Sequence, residues 1–112
     1  MWQGINKRQF PRANYPCKVV ILRKNMKETF STHTENIGEG GVCVFLPEEL
    51  PKFCCVEVLI YLKDEGNPLQ CDGRIVWSIK KNGVFDIGIE FMDLAEYDRV
   101  RVKRVVQECL RK

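Results

Sequence analysis

A chain of 112 residues is long enough for one domain with a single hydrophobic core, and it needs no disulfide or metal staple. Its 45% apolar and 29% charged residues are the make-up of a globular protein, not of a disordered or fibrous one. The net charge of +3 is unevenly spread: residues 1–27 carry seven basic side chains and no acid, while the remainder carries eleven basic and fifteen acidic ones. A positive field at one end draws an anion to one place, although a plain solvated arm has the same composition.

No apolar run approaches the ~20 residues needed to span a membrane. The first ten residues, MWQGINKRQF, lack the apolar centre of a secretory signal. The expected compartment is therefore the cytoplasm, with no membrane insertion. The six cysteines (Cys17, Cys43, Cys54, Cys55, Cys71 and Cys109) form no C-x-x-C, and His33 is the single histidine. Most of the cysteines sit in or beside strand-like runs, where a reduced thiol behaves as a small hydrophobe. Reduced, structural thiols are expected, with no zinc site and no cofactor.

In chain order, residues 1–14 show no clean period and contain Gly4, Asn6, Pro11 and Asn14, which predicts an extended basic arm. Strands are predicted over Tyr15 to Leu22 and Glu28 to Thr34, joined by a polar turn. Asn36 to Gly41 is read as a glycine-rich turn that needs positive φ or close approach, followed by a strand over Val42 to Leu46. Further strands are expected over Val56 to Leu62 and Leu69 to Ile79. Asn82-Gly83 is a strong hairpin signal. Beyond it Phe85, Ile87, Ile89 and Phe91 alternate with Asp86, Gly88 and Glu90, the pattern of a half-buried strand whose polar side meets solvent. From Asp93 the period changes. Val102, Val105, Val106, Cys109 and Leu110 recur at helical spacing, and Asp93 with Glu96 resembles a capping box, which predicts a helix over about 94–110. Six antiparallel strands and a terminal helix predict a small closed or nearly closed β-barrel, here over residues 15–112.

Two segments carry candidate chemistry. Lys7-Arg8-Gln9-Phe10-Pro11-Arg12 offers two arginines four apart, and guanidinium forks bind phosphates and purine edges. Asn36-Ile37-Gly38-Glu39-Gly40-Gly41 offers an amide with both a donor and an acceptor beside glycines that admit a close ligand. Each segment alone is equally a floppy arm or an ordinary turn. Trp77 shares a predicted face with Ile75 and Ile79, which favours a core contact over stacking on a base. No carboxylate pair, metal cluster or activated nucleophile stands out, so no enzyme is expected.

Taken together, the two segments resemble the PilZ domain family. Its pattern is R-x-x-x-R in an N-terminal arm and (D/N)-x-S-x-x-G at a strand-turn-strand junction. Arg8 and Arg12 match the first element, and Asn36, Gly38 and Gly41 the second, with Gly38 where serine is usual. Gly73-Arg74-Ile75-Val76-Trp77 and Asp86-Ile87-Gly88-Ile89-Glu90-Phe91 also resemble later strands of that family, so the likeness runs from Lys7 to Leu110. It implies a six-stranded antiparallel barrel with a C-terminal helix that binds the bacterial second messenger cyclic di-GMP. By that resemblance Arg8 and Arg12 contact phosphates and guanines, Asn36 reads a guanine edge and Gly41 leaves room for the ligand. Lys7, Gly40 and Trp77 are accessory candidates. The missing serine hydroxyl at Gly38 predicts weakened binding, by about tenfold to a hundredfold for one lost hydrogen bond to a charged group. With no output domain in view, a receptor of this kind signals by ordering its arm and through an unidentified protein partner, by family resemblance one concerned with motility, biofilm or pili. The alternatives are an adaptor that no longer uses the nucleotide, and a small barrel that binds RNA or single-stranded DNA. The second lacks exposed aromatic pairs for stacking bases.

Overall fold

The computed structural model describes residues 11–111, apart from the side chain of Lys24. Seven strands and one helix follow in chain order: β1 (Arg12–Ala13), β2 (Lys18–Arg23), β3 (Glu28–Gly38), β4 (Gly41–Leu46), β5 (Cys55–Tyr61), β6 (Leu69–Lys81), β7 (Val84–Phe91) and α1 (Glu96–Leu110). All pairings are antiparallel. The sheet runs β1-β3-β2-β5-β6-β7-β4 and closes because β4 also pairs with β3. Six strands thus form a closed barrel, and β1 is an extra strand laid on β3.

Alternation builds the core. Val19 and Ile21 of β2, Val42 and Val44 of β4, Val58 and Ile60 of β5, and Ile87 and Ile89 of β7 are all fully buried and belong to one cluster. Asn82 and Gly83 turn the β6–β7 hairpin with φ of 51° and 85°, the left-handed pair that a two-residue hairpin turn of this hand requires. Leu50, between Pro47 and Pro51, is fully buried and takes the β4–β5 crossing into the core.

Two one-residue irregularities reshape the barrel wall. In β3 the register slips between Thr34 and Asn36, which lets the strand leave β2 and pair with β4. In β6 it slips between Ile75 and Trp77. Ile75 remains in the core, while Trp77 moves to the outer face and joins Cys43 and Val76 in a separate buried cluster. The expectation that Ile75, Trp77 and Ile79 share a face is therefore corrected, and Ile79 is exposed.

The helix also differs in its start. Its N-cap is Ala95, with no side-chain cap. The Asp93 carboxylate instead accepts from the Asp72 backbone N–H at 2.7 Å, which ties the β7–α1 connection to β6. Val102, Val105 and Val106 face the core as their spacing predicts. Arg101, just before them in sequence, is also buried. Its guanidinium grips the Asp64 carboxylate through two 2.9 Å bonds, and it also reaches Asp98 and the Asn67 carbonyl, which pins α1 to the β5–β6 loop.

Candidate nucleotide-binding site

The two sequence-distant segments meet in β1, β3 and β4. Arg12 lies opposite Gly38, and Ala13 opposite Ile37. Gly38 lies in turn opposite Gly41, and Asn36 opposite Cys43. Ala13, Ile37 and Val42 point into the core, so Arg12, Asn36, Gly38, Gly41 and Cys43 share the outer face. Arg8 and Lys7 lie outside the described residues.

The predicted turn over Asn36 to Gly41 is shorter than expected. β3 continues to Gly38 and β4 begins at Gly41, which leaves Glu39 and Gly40 as the turn. None of Gly38, Gly40 and Gly41 has positive φ. The need at Gly38 is close approach. A Cβ there would stand 2.7 Å from the Pro11 carbonyl oxygen and 3.1 Å from Arg12 Cγ. The missing side chain is what lets the Pro11–Arg12 segment lie flat on β3.

Asn36 is half-buried, and its Oδ1 is sealed from water with no hydrogen-bond partner among the described residues. An unsatisfied buried carbonyl is costly, and such groups gather where a ligand completes them. Burial lowers the pKa of Arg12, while Cys43 acts in the opposite direction. A guanidinium stays charged in a protein regardless. The Glu39–Gly40 turn is held from two sides. Arg99 of α1 donates to the Glu39 carbonyl at 3.4 Å, and the Phe91 N–H donates to the Gly40 carbonyl at 3.0 Å.

Next to this shelf, Trp77 lies across Gly88, where a Cβ would come within 2.5 Å of the indole. Its Nε1 donates to Asp86 Oδ1 at 3.1 Å. The Cys43 thiol, 3.0 Å from the same oxygen, and Lys81 complete the surroundings of Asp86. Burial alone raises the Asp86 pKa, and the hydrogen bonds from Cys43, Trp77 and Lys81 together outweigh it, so the carboxyl stays below its ordinary range. The expectation that Asp86 belongs to a solvated strand face is thus corrected. The Cys43 thiol is pushed well up, by burial first and then by Asp86 and Glu35. Cys43, Glu35 and Asp86 bring their ligand atoms within 4.8 Å of one another, an arrangement no local spacing announces because it gathers three strands. Cavities of about 350 Å³ beside Leu22, Cys55 and Met92, and of about 310 Å³ beside Tyr15, Val105 and Cys109, lie elsewhere.

The PilZ domain model matches residues 6–108, and the chain belongs to the PilZ domain family. Among solved structures it resembles the Bacillus subtilis inhibitor of motility MotI/DgrA, with TM-score 0.78 and 20% identity over 96% of this chain and 51% of that one. Escherichia coli YcgR in complex with c-di-GMP gives TM-score 0.78 and 13% identity over 96% of this chain and 47% of that one. The PilZ domain of CeSA from a cellulose-synthesizing bacterium gives TM-score 0.62 and 23% identity over 90% of this chain and 98% of that one. The chain spans about half the length of the first two. No curated protein sequence matches it. The barrel and terminal helix expected from the resemblance are those observed.

Proposed function

We propose that this chain is a cyclic di-GMP receptor, with the ligand held on the outer face of β1, β3 and β4. The observation that carries the reading is the pairing of Arg12 with Gly38. It sets the second arginine of R-x-x-x-R beside N-x-G-x-x-G, with the buried, unpartnered Asn36 Oδ1 one step along the same face. In this reading Arg12 and Arg8 hold phosphate and guanine, Asn36 reads a guanine edge, Gly38 seats the Pro11–Arg12 segment and Gly41 leaves room for the ligand. Lys7, Gly40 and Trp77 stand at the margin of the site.

Ligand that engages Arg8 as well as Arg12 fixes the course of the segment before Pro11. A protein partner in the cytoplasm then reads that change, which is a population shift driven by differential affinity. Calorimetric titration of the full chain with cyclic di-GMP tests the reading, alongside Arg8→Ala and Arg12→Ala variants checked for unchanged folding. Binding by the wild type and at least a tenfold loss in each variant is expected. Wild-type affinity in both variants would show that the arginines are not the clamp.

Gly38 favours a second reading, an adaptor that dispenses with the nucleotide, because the place of a serine side chain is taken by the Pro11 carbonyl. Absence of heat from the wild type at high protein concentration selects it.

A further inference from the structure

One row of residues crosses the outer face from strand to strand. Arg12 pairs with Gly38, Gly38 with Gly41, Gly41 with Glu90, and Glu90 with Arg74. The two glycines put no side chain in the middle of the row, where the Pro11–Arg12 segment crosses Gly38, and an arginine stands at each end. Neighbouring strands lie ~4.8 Å apart, so the backbones of Arg12 and Arg74 are roughly 19 Å apart along the sheet.

Arg74 is not fully satisfied where it stands. Its Nη2 donates to Glu90 Oε1 at 2.6 Å, but its Nε is sealed from water and has no acceptor among the described residues. The side chain as a whole is 39% exposed, while Glu90 beside Gly41 is 17% exposed. A guanidinium has five donors and no acceptor, and a buried donor left unpaired is a standing cost that an acceptor removes.

We propose that the Arg74–Glu90 pair reads a guanine base docked on the Gly41 side of this row, an inference that rests on the nucleotide reading above. Guanine offers two acceptors, O6 and N7, that match an arginine fork, and its N1–H and N2–H groups match a carboxylate oxygen. Adenine places an amino group where guanine has O6, so it meets a donor with a donor. The pair therefore selects guanine as well as adding affinity. Lysine at position 74 keeps a charge but loses the fork.

The test is titration of the full chain and its Arg74→Ala, Arg74→Lys, Glu90→Gln and Arg12→Ala variants with cyclic di-GMP and with cyclic di-AMP. Circular dichroism and thermal melting check the fold of each. Loss of one bidentate base contact predicts that Arg74→Ala binds cyclic di-GMP about 5- to 150-fold more weakly. Arg74→Lys should not restore the loss, and Glu90→Gln should narrow the preference for cyclic di-GMP over cyclic di-AMP. Should Arg74→Ala fail to fold, Arg74→Lys keeps a cation opposite Glu90 and still decides the matter. Wild-type affinity in the folded Arg74 variants, with Arg12→Ala weakened, overturns the role of Arg74 and leaves the site standing. No binding by the wild type overturns both.

Discussion

A Cβ at Gly38 would stand 2.7 Å from the Pro11 carbonyl oxygen, which is backbone and not the end of a flexible side chain. A serine here therefore does not simply restore a hydroxyl to the ligand. It first has to push the Pro11–Arg12 segment off β3. The expected result for Gly38→Ser is weaker docking of β1, seen as faster amide hydrogen exchange over residues 12–14 and at Ile37. Stability should fall by about 1 kcal/mol, the low end for overpacking, because β1 is only two residues long and lies outside the closed barrel. Unchanged exchange in that segment would mean that β1 accommodates a side chain without moving. The bare position thus gives Arg12 a pre-formed seat on β3. That seat invisibly couples two residues 26 apart in the chain, because the sequence shows only that a serine is missing.

Among the elements, α1 is anchored by a polar contact as well as by its valines. Arg101 has a 7% exposed side chain, and the Asp64 and Asp98 carboxylates it holds are 17% and 19% exposed. The bond from Arg101 is the largest influence on Asp64 and holds its pKa below the usual carboxylate range; Asp64, in return, raises that of Arg101. Because the folded chain holds this proton less tightly than the unfolded chain, the contribution is complete above the unfolded pKa of about 3.9. It fades as pH falls from there through the folded value. Asp64→Asn should therefore destabilise at pH 7, and its deficit against wild type should shrink below about pH 4, as urea midpoints across the range would reveal. A constant deficit down to pH 2 would mean that the pair does not depend on ionisation. Arg101→Met removes the cation from both carboxylates and should cost about 3 kcal/mol at pH 7, near the low end for a broken buried pair because each acid keeps some water.

How far these elements were legible follows from how local their causes are. The strand alternation, the Asn82-Gly83 hairpin and the valine spacing of α1 are local, so they could be read directly from the chain. The bulges at Glu35 and Val76 were not, since one extra residue leaves the surrounding alternation intact on both sides. Trp77 was misplaced for that reason. The roles of Asp86 and Arg101 were hidden because their partners come from other strands and a distant loop. Arg12, Asn36, Gly38 and Gly41 were legible as a pattern, but that Arg12 pairs with Gly38 came only from the fold.

At the scale of the whole molecule, a barrel closed on itself has little freedom to change shape, so cyclic di-GMP bound as proposed would act in two ways. It would tighten the fold by mass action, and through Arg12 it would hold β1 against β3. The first is directly measurable. A ligand that binds only the folded chain stabilises it by about 2.7 kcal/mol at a hundred times its Kd. A domain of this size unfolds with an entropy near 2.1 cal/mol/K per residue, so each kcal/mol raises Tm by about 4 °C. Cyclic di-GMP at that excess should therefore raise Tm by roughly 10 °C in scanning calorimetry. Because the ligand is anionic and the front of the chain carries seven cations and no acid through residue 27, the shift should shrink as salt is raised from 50 to 500 mM at fixed ligand. Linear GMP at the same concentration should give a smaller shift, since it offers one base and one phosphate where the proposed site engages more. Equal shifts with GMP and cyclic di-GMP would reduce the shelf to a general anion site, and the arrangement of its two arginine ends would then need another explanation.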